Sequence, residues 1–333
     1  MSDTSAFGVL YTEHSGLAAT TPVASLWSYE TCSHGRDRRG VALNPDGSRE
    51  YWLDRSDPLL NTILPGTGVS LIVNFGDMWS AGRSLASSAH MPRVCVVGPV
   101  TQPRILRVGR SVRAVGAVLA PTLTAAAFDM PASALTDRIV PLEDLWTRDE
   151  VERLFASLSC LDVRRCLSAL RDELVVRIAR LSSDETVGRT APRLITLHGG
   201  RVSIDDMARS HGLSRQQFAR RFCASAGLPP KLFARITRFQ TLMRVLLSTD
   251  VERWASVSPA IGFYDQAHMI NEFRAFAGSS PTVFFRPHGN SIDSANIQLR
   301  GRPSEWVRRP EPAATGDNQR RASRNPSCPS RAW

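Results

Sequence analysis

Lysine is almost missing from this chain of 333 residues: Lys and Arg together number 41, and Lys231 is the only lysine. Arginine suits bidentate contacts to phosphate and guanine. The preference is equally one-sided in every part of the chain, however, so it marks no functional class by itself. Long apolar runs are also missing. No stretch approaches the roughly 18 apolar residues of a membrane span, and no charged start with an apolar core and cleavage site reads as a signal peptide. Cysteine is sparse and scattered, at Cys32, Cys95, Cys160, Cys166, Cys223 and Cys328. No pair has C-x-x-C spacing, which argues against a small disulfide framework and fits a reducing, bacterial-type cytoplasm, nucleoid-associated if DNA is the partner. Enzyme signatures are lacking too: there is no Gly-x-Ser-x-Gly elbow, P-loop or His-Glu-x-x-His. His14, His34 and His90 lie in turn-rich surroundings and read as surface residues. The chain is therefore expected to be no enzyme and to need no cofactor or metal.

Charge is present but unevenly placed. Residues 1–200 carry 21 basic and 21 acidic residues, 201–286 carry 12 and 6, and 287–333 carry 8 and 4. All the excess positive charge lies in the last 133 residues, as in a neutral module joined to one that binds a polyanion.

Periodicity divides the chain further. Residues 25–30, 69–75, 93–98, 104–109 and 113–119 read as short strands. Turns such as Asn44-Pro45-Asp46-Gly47, Pro65-Gly66 and Gly98-Pro99 separate them, which suggests a small barrel or sandwich over about 20–121. Residues 122–128, 143–158 and 160–181 read as helices. In the last, Leu167, Leu170, Leu174, Ile178 and Leu181 form one apolar stripe, either a dimer seam or a face packed on its own domain. The polar stretch 183–190 reads as a linker between a domain at 1–182 and a helical one at 191–286. Residues 287–333 have few large apolar side chains and read as a disordered basic tail.

The helical part repeats itself. Ser214, Phe218, Phe222, Gly227 and Phe233 recur 51 positions later as Asp265, Met269, Phe273, Gly278 and Phe284. Gly212 recurs 50 later as Gly262, so the second copy has one extra turn residue. Helix, glycine turn, capped helix, glycine stop is how a helix-turn-helix reads in sequence. Gly212 reaches positive φ without steric cost, Ser214 caps the next helix, and Gly227 stops it.

Helical geometry selects the outward side chains. With Phe218 at 0° and about 100° per residue, the buried face centres near 20°, and Arg220 and Gln216 fall near 200° and 160°. Arg and Gln pair bidentately with guanine and adenine in the major groove. Gln217 lies on one flank, and Arg215 and Arg221 flank the core face within reach of phosphates. In the second copy Asn271 and Ala267 occupy the outward angles, able to meet adenine and a thymine methyl, with His268 on the flank as a hydrogen-bonding residue. Gln266 and Arg274 complete that helix's DNA-contacting candidates. Residues 230–247 form an amphipathic rod of about 26 Å, near the roughly 34 Å between successive major grooves on one face of DNA.

Ile204-Asp205-Asp206-Met207-Ala208, Gly212-Leu213-Ser214, Pro230-Lys231-Leu232-Phe233 and Gly262-Phe263-Tyr264-Asp265-Gln266-Ala267-His268, with Gly227, Gly278 and Pro281, resemble the DNA-binding domain of AraC-type transcription regulators. The resemblance implies seven helices, two recognition helices in adjacent major grooves and base-reading roles at positions 216, 220, 267, 268 and 271. The sequence departs from the family at Asn271, where Arg is common, and at Pro259, where proline is expected to end or bend the scaffold helix. Residues 64–74 and 97–146 are similar to the amino-terminal domain of a subset of these regulators. They imply a cupin-like β-barrel followed by helices, although Gly66-Thr67-Gly68 replaces a common Asp-Gly-Cys run. The whole is expected to be an α+β multidomain regulator whose partners are double-stranded DNA, a small-molecule effector at the amino-terminal domain, RNA polymerase if it activates, and a second copy if it dimerises. One alternative is a ligand-blind DNA-binding protein whose first half only dimerises. Another is an alkylation-repair methyltransferase, which the scattered cysteines and the Ser327-Cys328-Pro329 context disfavour.

Overall fold

The computed structural model describes residues 8–14, 23–32, 40–43, 49–53, 60–180, 186–247, 254–285 and 295–296. The turn at 44–47, His34, Leu181, Cys328 and nearly all of the basic tail lie outside the described residues.

Among the described residues, twelve strands of the amino-terminal half and one short strand from beyond the helical part pair into two sheets. These are β1 (Gly8–Glu13), β2 (Val23–Cys32), β3 (Gly40–Leu43), β4 (Arg49–Leu53), β5 (Leu60–Ile63), β6 (Val69–Asn74), β7 (Ser80–Gly82), β8 (Ala89–His90), β9 (Val94–Val97), β10 (Arg104–Arg107), β11 (Arg113–Leu119), β12 (Ile139–Pro141) and β13 (Ala295–Asn296). One sheet runs β12-β9-β6-β11-β2-β1-β4-β3 and the other β13-β5-β10-β7-β8. Pairing is antiparallel except for β13 on β5. The two sheets share no strand pairing among the described residues, so the expected barrel is an open, cupin-like sandwich.

Strand β11 explains the layering, because it is buried on both faces. Ala114 and Val118 face an interior shared with Trp27, Tyr29, Trp79 and Leu106, drawn from both sheets. Val115, Ala117 and Leu119 alternate to the opposite face, as the period of two requires. That second face is covered by helices α1 (Thr124–Phe128), α2 (Ala132–Leu135), α3 (Arg148–Ser159) and α4 (Val163–Arg180). Leu167, Leu170, Leu174 and Ile178 are all buried in this layer. The apolar stripe on α4 therefore packs on its own domain rather than forming a dimer seam. His14 differs from the surface reading, half-buried with Nε2 3.2 Å from Ser28 Oγ. His90 is exposed as expected, with Nδ1 3.2 Å from Ser80 Oγ.

Among the described residues, seven helices follow: α5 (Thr186–Leu197), α6 (Ile204–Ser210), α7 (Arg215–Ala226), α8 (Pro230–Leu247), α9 (Trp254–Ile261), α10 (Gln266–Ala277) and α11 (Pro281–Phe284). Helix α5 begins inside the stretch read as linker. Docking of Ala191 and Ile195 into the core stabilises the turns ahead of them, whose own sequence has no apolar period. Helix α9 passes through Pro259 and ends two residues later at Ile261, so proline does not stop it there. The α5–α11 core is built on α8, whose Phe233, Ile236, Phe239 and Leu242 are fully buried.

Candidate nucleic-acid interface

The two copies seat α7 and α10 on the α8 rod through matched aromatic contacts, at Phe233 and Phe239. Phe218 and Phe222 of α7 are buried, with Phe222 edge-on to Phe233 at 5.4 Å between ring centres. Met269 and Phe273 of α10 are buried likewise, with Phe273 edge-on to Phe239 at 5.6 Å. Each helix is preceded by a left-handed glycine, Gly212 at φ 65° and Gly262 at φ 86°. Each ends on another, Gly227 at 79° and Gly278 at 80°.

The caps are local chemistry. Ser214 Oγ accepts the Gln217 N–H at 3.3 Å, and Gln217 Oε1 accepts from the Ser214 N–H and hydroxyl at 3.1 Å each. Gln217, expected to flank DNA, is thus a capping-box partner whose carbonyl is already engaged. Asp265 Oδ1 accepts the His268 N–H at 2.7 Å. His268 is half-buried, its ring edge-on to Phe263 and its Nδ1 3.4 Å from the Tyr264 N–H. These contacts draw the ring toward the protein.

Arg215, Gln216, Arg220 and Arg221 are exposed on α7, and Gln266, Ala267, Asn271 and Arg274 are exposed on α10. Gln216 and Asn271 therefore point away from packed protein, as the angular argument requires. Arg215 is exposed but ion-paired, with Nε 3.3 Å from Asp205 Oδ1.

Two features that set the second helix were not read from the sequence. Arg235 on α8 donates from Nε and Nη2 to the two carboxylate oxygens of Glu272 on α10, at 2.9 and 2.7 Å. This fork fixes α10 against the rod and holds Arg235 above its ordinary pKa, chiefly through the Glu272 hydrogen bonds. Arg238 donates to the Gly200 carbonyl at 3.1 Å and lies over the Phe263 ring at 5.6 Å, while burial pulls its pKa down. Their partners lie 37 and 38 residues away, so no helical period could reveal them.

The amino-terminal half touches this domain at the end of α7. Thr136, just after α2, donates its hydroxyl to the Gly227 carbonyl at 2.6 Å. Leu64 is buried in the carboxyl-terminal core, and Gln240 Nε2 on α8 is 3.5 Å from the Pro65 carbonyl. Helix α2 is itself seated closely on the sandwich. A Cβ on Gly98 would fall 1.8 Å from the Leu135 carbonyl oxygen, and Asp137 accepts the Thr101 N–H at 2.9 Å.

Two capped helices, each led by a glycine turn and joined by one amphipathic rod, define a double helix-turn-helix domain. Residues 207–287 match a family model described as a helix-turn-helix domain, and residues 49–141 match one described as a domain of unknown function (DUF6597). The chain therefore carries a helix-turn-helix domain over residues 207–287. Among solved structures it is similar to ToxT from Vibrio cholerae, with 8% identity over 67% of this chain and 91% of that one at a TM-score of 0.41. An unsaturated fatty acid-bound ToxT from Vibrio cholerae strain SCE256 gives 8% identity, 67% and 92% coverage and a TM-score of 0.41. The AraC-like transcriptional activator CuxR gives 16% identity, 69% and 80% coverage and a TM-score of 0.23. No curated protein matches the chain. Among the described residues, no helix is long and apolar enough to cross a membrane, and no group of three or more His, Cys, Asp or Glu could hold a metal ion.

Proposed function

We propose that this chain binds a specific double-stranded DNA operator by placing α7 and α10 in adjacent major grooves, and that residues 1–182 modulate the binding. The observation that carries the DNA reading is the outward pairing of Gln216 with Arg220 and of Ala267 with Asn271 on two equivalently capped helices. Gln216 and Arg220 read bases in the first segment, and Ala267 and Asn271 read the second. Arg221 and Arg274 hold phosphates, and Arg215 does so after exchanging Asp205 for DNA.

Contact between the two halves supports modulation. A shift of α2 within the amino-terminal half would act on the end of α7 through Thr136, and a shift of Leu64-Pro65 would act on α8. A small effector held by the sandwich could work through either contact. Dimerisation through α4 has lost its support, since the stripe is taken up by the domain's own core.

Arg220→Ala is expected to cost about 1–3 kcal/mol at one base position and to relax preference there. Enrichment of a randomised duplex library by wild type and variant reads this directly. An identical preference in the two would remove Arg220 from base reading. Thermal-shift screening of the full chain against small metabolites tests for an effector.

A further inference from the structure

The second copy's extra residue can be located, and its placement carries a further contact. In the first turn, Leu213 follows the left-handed Gly212 and donates its N–H to the Ala208 carbonyl at 3.0 Å, closing the end of α6. In the second, Phe263 follows Gly262 and donates to the Ser258 carbonyl at 3.1 Å, closing the end of α9. The bond spans five residues in both, so Phe263 is the counterpart of Leu213. Both pack on the same core, Phe263 buried and Leu213 partly so. Ser214 comes directly after Leu213, whereas Tyr264 stands between Phe263 and its cap Asp265. Tyr264 is therefore the insertion.

The fold does not need this residue, because the first copy makes the same turn and cap without it. Nor does the core use it: Tyr264 is 91% exposed, the most exposed large hydrophobic residue among the described residues. Its backbone is nonetheless held, the N–H 3.4 Å from His268 Nδ1 on the reading helix. A phenol on a fixed backbone thus adjoins the exposed face that carries Gln266 and Ala267. A tyrosine offers one hydroxyl donor and an apolar ring. That pair suits a phosphate oxygen with its neighbouring deoxyribose, a contact that positions a protein on a duplex without reading its sequence.

We propose that Tyr264 is a DNA-contacting residue of the second reading head, its hydroxyl donating to one backbone phosphate at the edge of the segment read by α10. The inference rests on the two-headed reading above. It gives the second head an anchor that the first lacks, where α10 carries Asn271 in place of the family's common Arg.

The test uses the full chain and a duplex enriched from a randomised library by wild type. Tyr264→Phe removes only the hydroxyl and is expected to weaken binding on the order of tenfold. Because the lost donor is neutral, the slope of log affinity against log salt should stay as in wild type. Arg274→Ala, which removes a phosphate-neutralising cation, should flatten it by about 1. Ethylation of single phosphates should identify one in the second segment that blocks wild type but not Tyr264→Phe. Melting of Tyr264→Phe should equal wild type, since the ring is exposed. Wild-type affinity in Tyr264→Phe, or an unchanged phosphate pattern, would overturn the contact while leaving the two heads in place. A shift in base preference with every phosphate still interfering would also overturn it. If wild type enriches no sequence, the two-headed reading itself fails.

Discussion

Phe273→Ala is expected to destabilise the carboxyl-terminal domain by about 3–5 kcal/mol, the range for emptying a fully buried aromatic site. Phe273 has no exposed surface, and its ring centre lies 5.6 Å from Phe239, 5.6 Å from Phe284 and 6.1 Å from Phe285. The ring is what joins α10 to the rod and to α11. Removing it leaves a cavity that close-packed neighbours fill only in part. Met269, Phe276 (5.3 Å from Phe239) and the Arg235–Glu272 fork then remain to hold α10, and Arg235 is partly exposed, so solvent discounts the fork's strength. Chemical denaturation of the full chain should show the loss. Footprinting should show protection of the second segment fading before the first, because α7 is seated separately on Phe222 and Phe233. Phe273→Leu, which keeps most of the volume, should recover much of both. Wild-type denaturation together with an intact second footprint in Phe273→Ala would mean that α10 is seated by other contacts.

What the sequence made legible follows the range of each interaction. Helix α8 falls on its expected bounds, and α7 fills the span between its expected cap and stop, because a proline opens the first and Ser214 and Gly227 bracket the second. Those signals act within one turn of helix, so the chain states them locally. The five strands expected between 25 and 119 are all present, because their apolar runs are long or sharply bounded. Of the strands missed, β5, β7, β8 and β12 have two to four residues each and exist through partners distant in sequence. The same limit hid the Glu272 fork, the Arg238 seat beside Phe263, and the Thr136 bond to Gly227 across 91 residues. Gln217 shows the reverse limit. The angular count puts it on the exposed flank of α7, but does not reveal that a serine three residues earlier engages its carbonyl. Tyr264 was visible only as an unequal spacing of glycines, since nothing in a sequence says which of two turn residues is the added one.

Gly227→Ala and Gly278→Ala form a matched pair that isolates the contact between the two halves. Both glycines end a reading helix at nearly the same φ, 79° and 80°. Alanine in that left-handed region costs roughly 1–2 kcal/mol at either site. Their surroundings differ. A Cβ at Gly278 meets nothing within 4 Å, whereas at Gly227 it falls 2.8 Å from the Ala132 carbonyl oxygen and 3.1 Å from Thr136 Oγ1. Gly278→Ala should therefore pay the backbone strain alone. Gly227→Ala should lose about 1–3 kcal/mol more, the usual cost of overpacking, because α2 is held too firmly by Leu135 against Gly98 to move aside freely. Thr136→Val removes the bond to Gly227 without adding bulk and should reproduce part of the functional change with less loss of stability. Denaturation gives the energetic difference, and binding to the enriched duplex shows whether it reaches the first head. If separating α2 from α7 changes protection of the first segment and leaves the second alone, the amino-terminal half acts through the end of one reading helix. Equal stability losses at the two glycines, with equal footprints, would make this contact passive packing and move any control by residues 1–182 to the Leu64-Pro65 contact with α8.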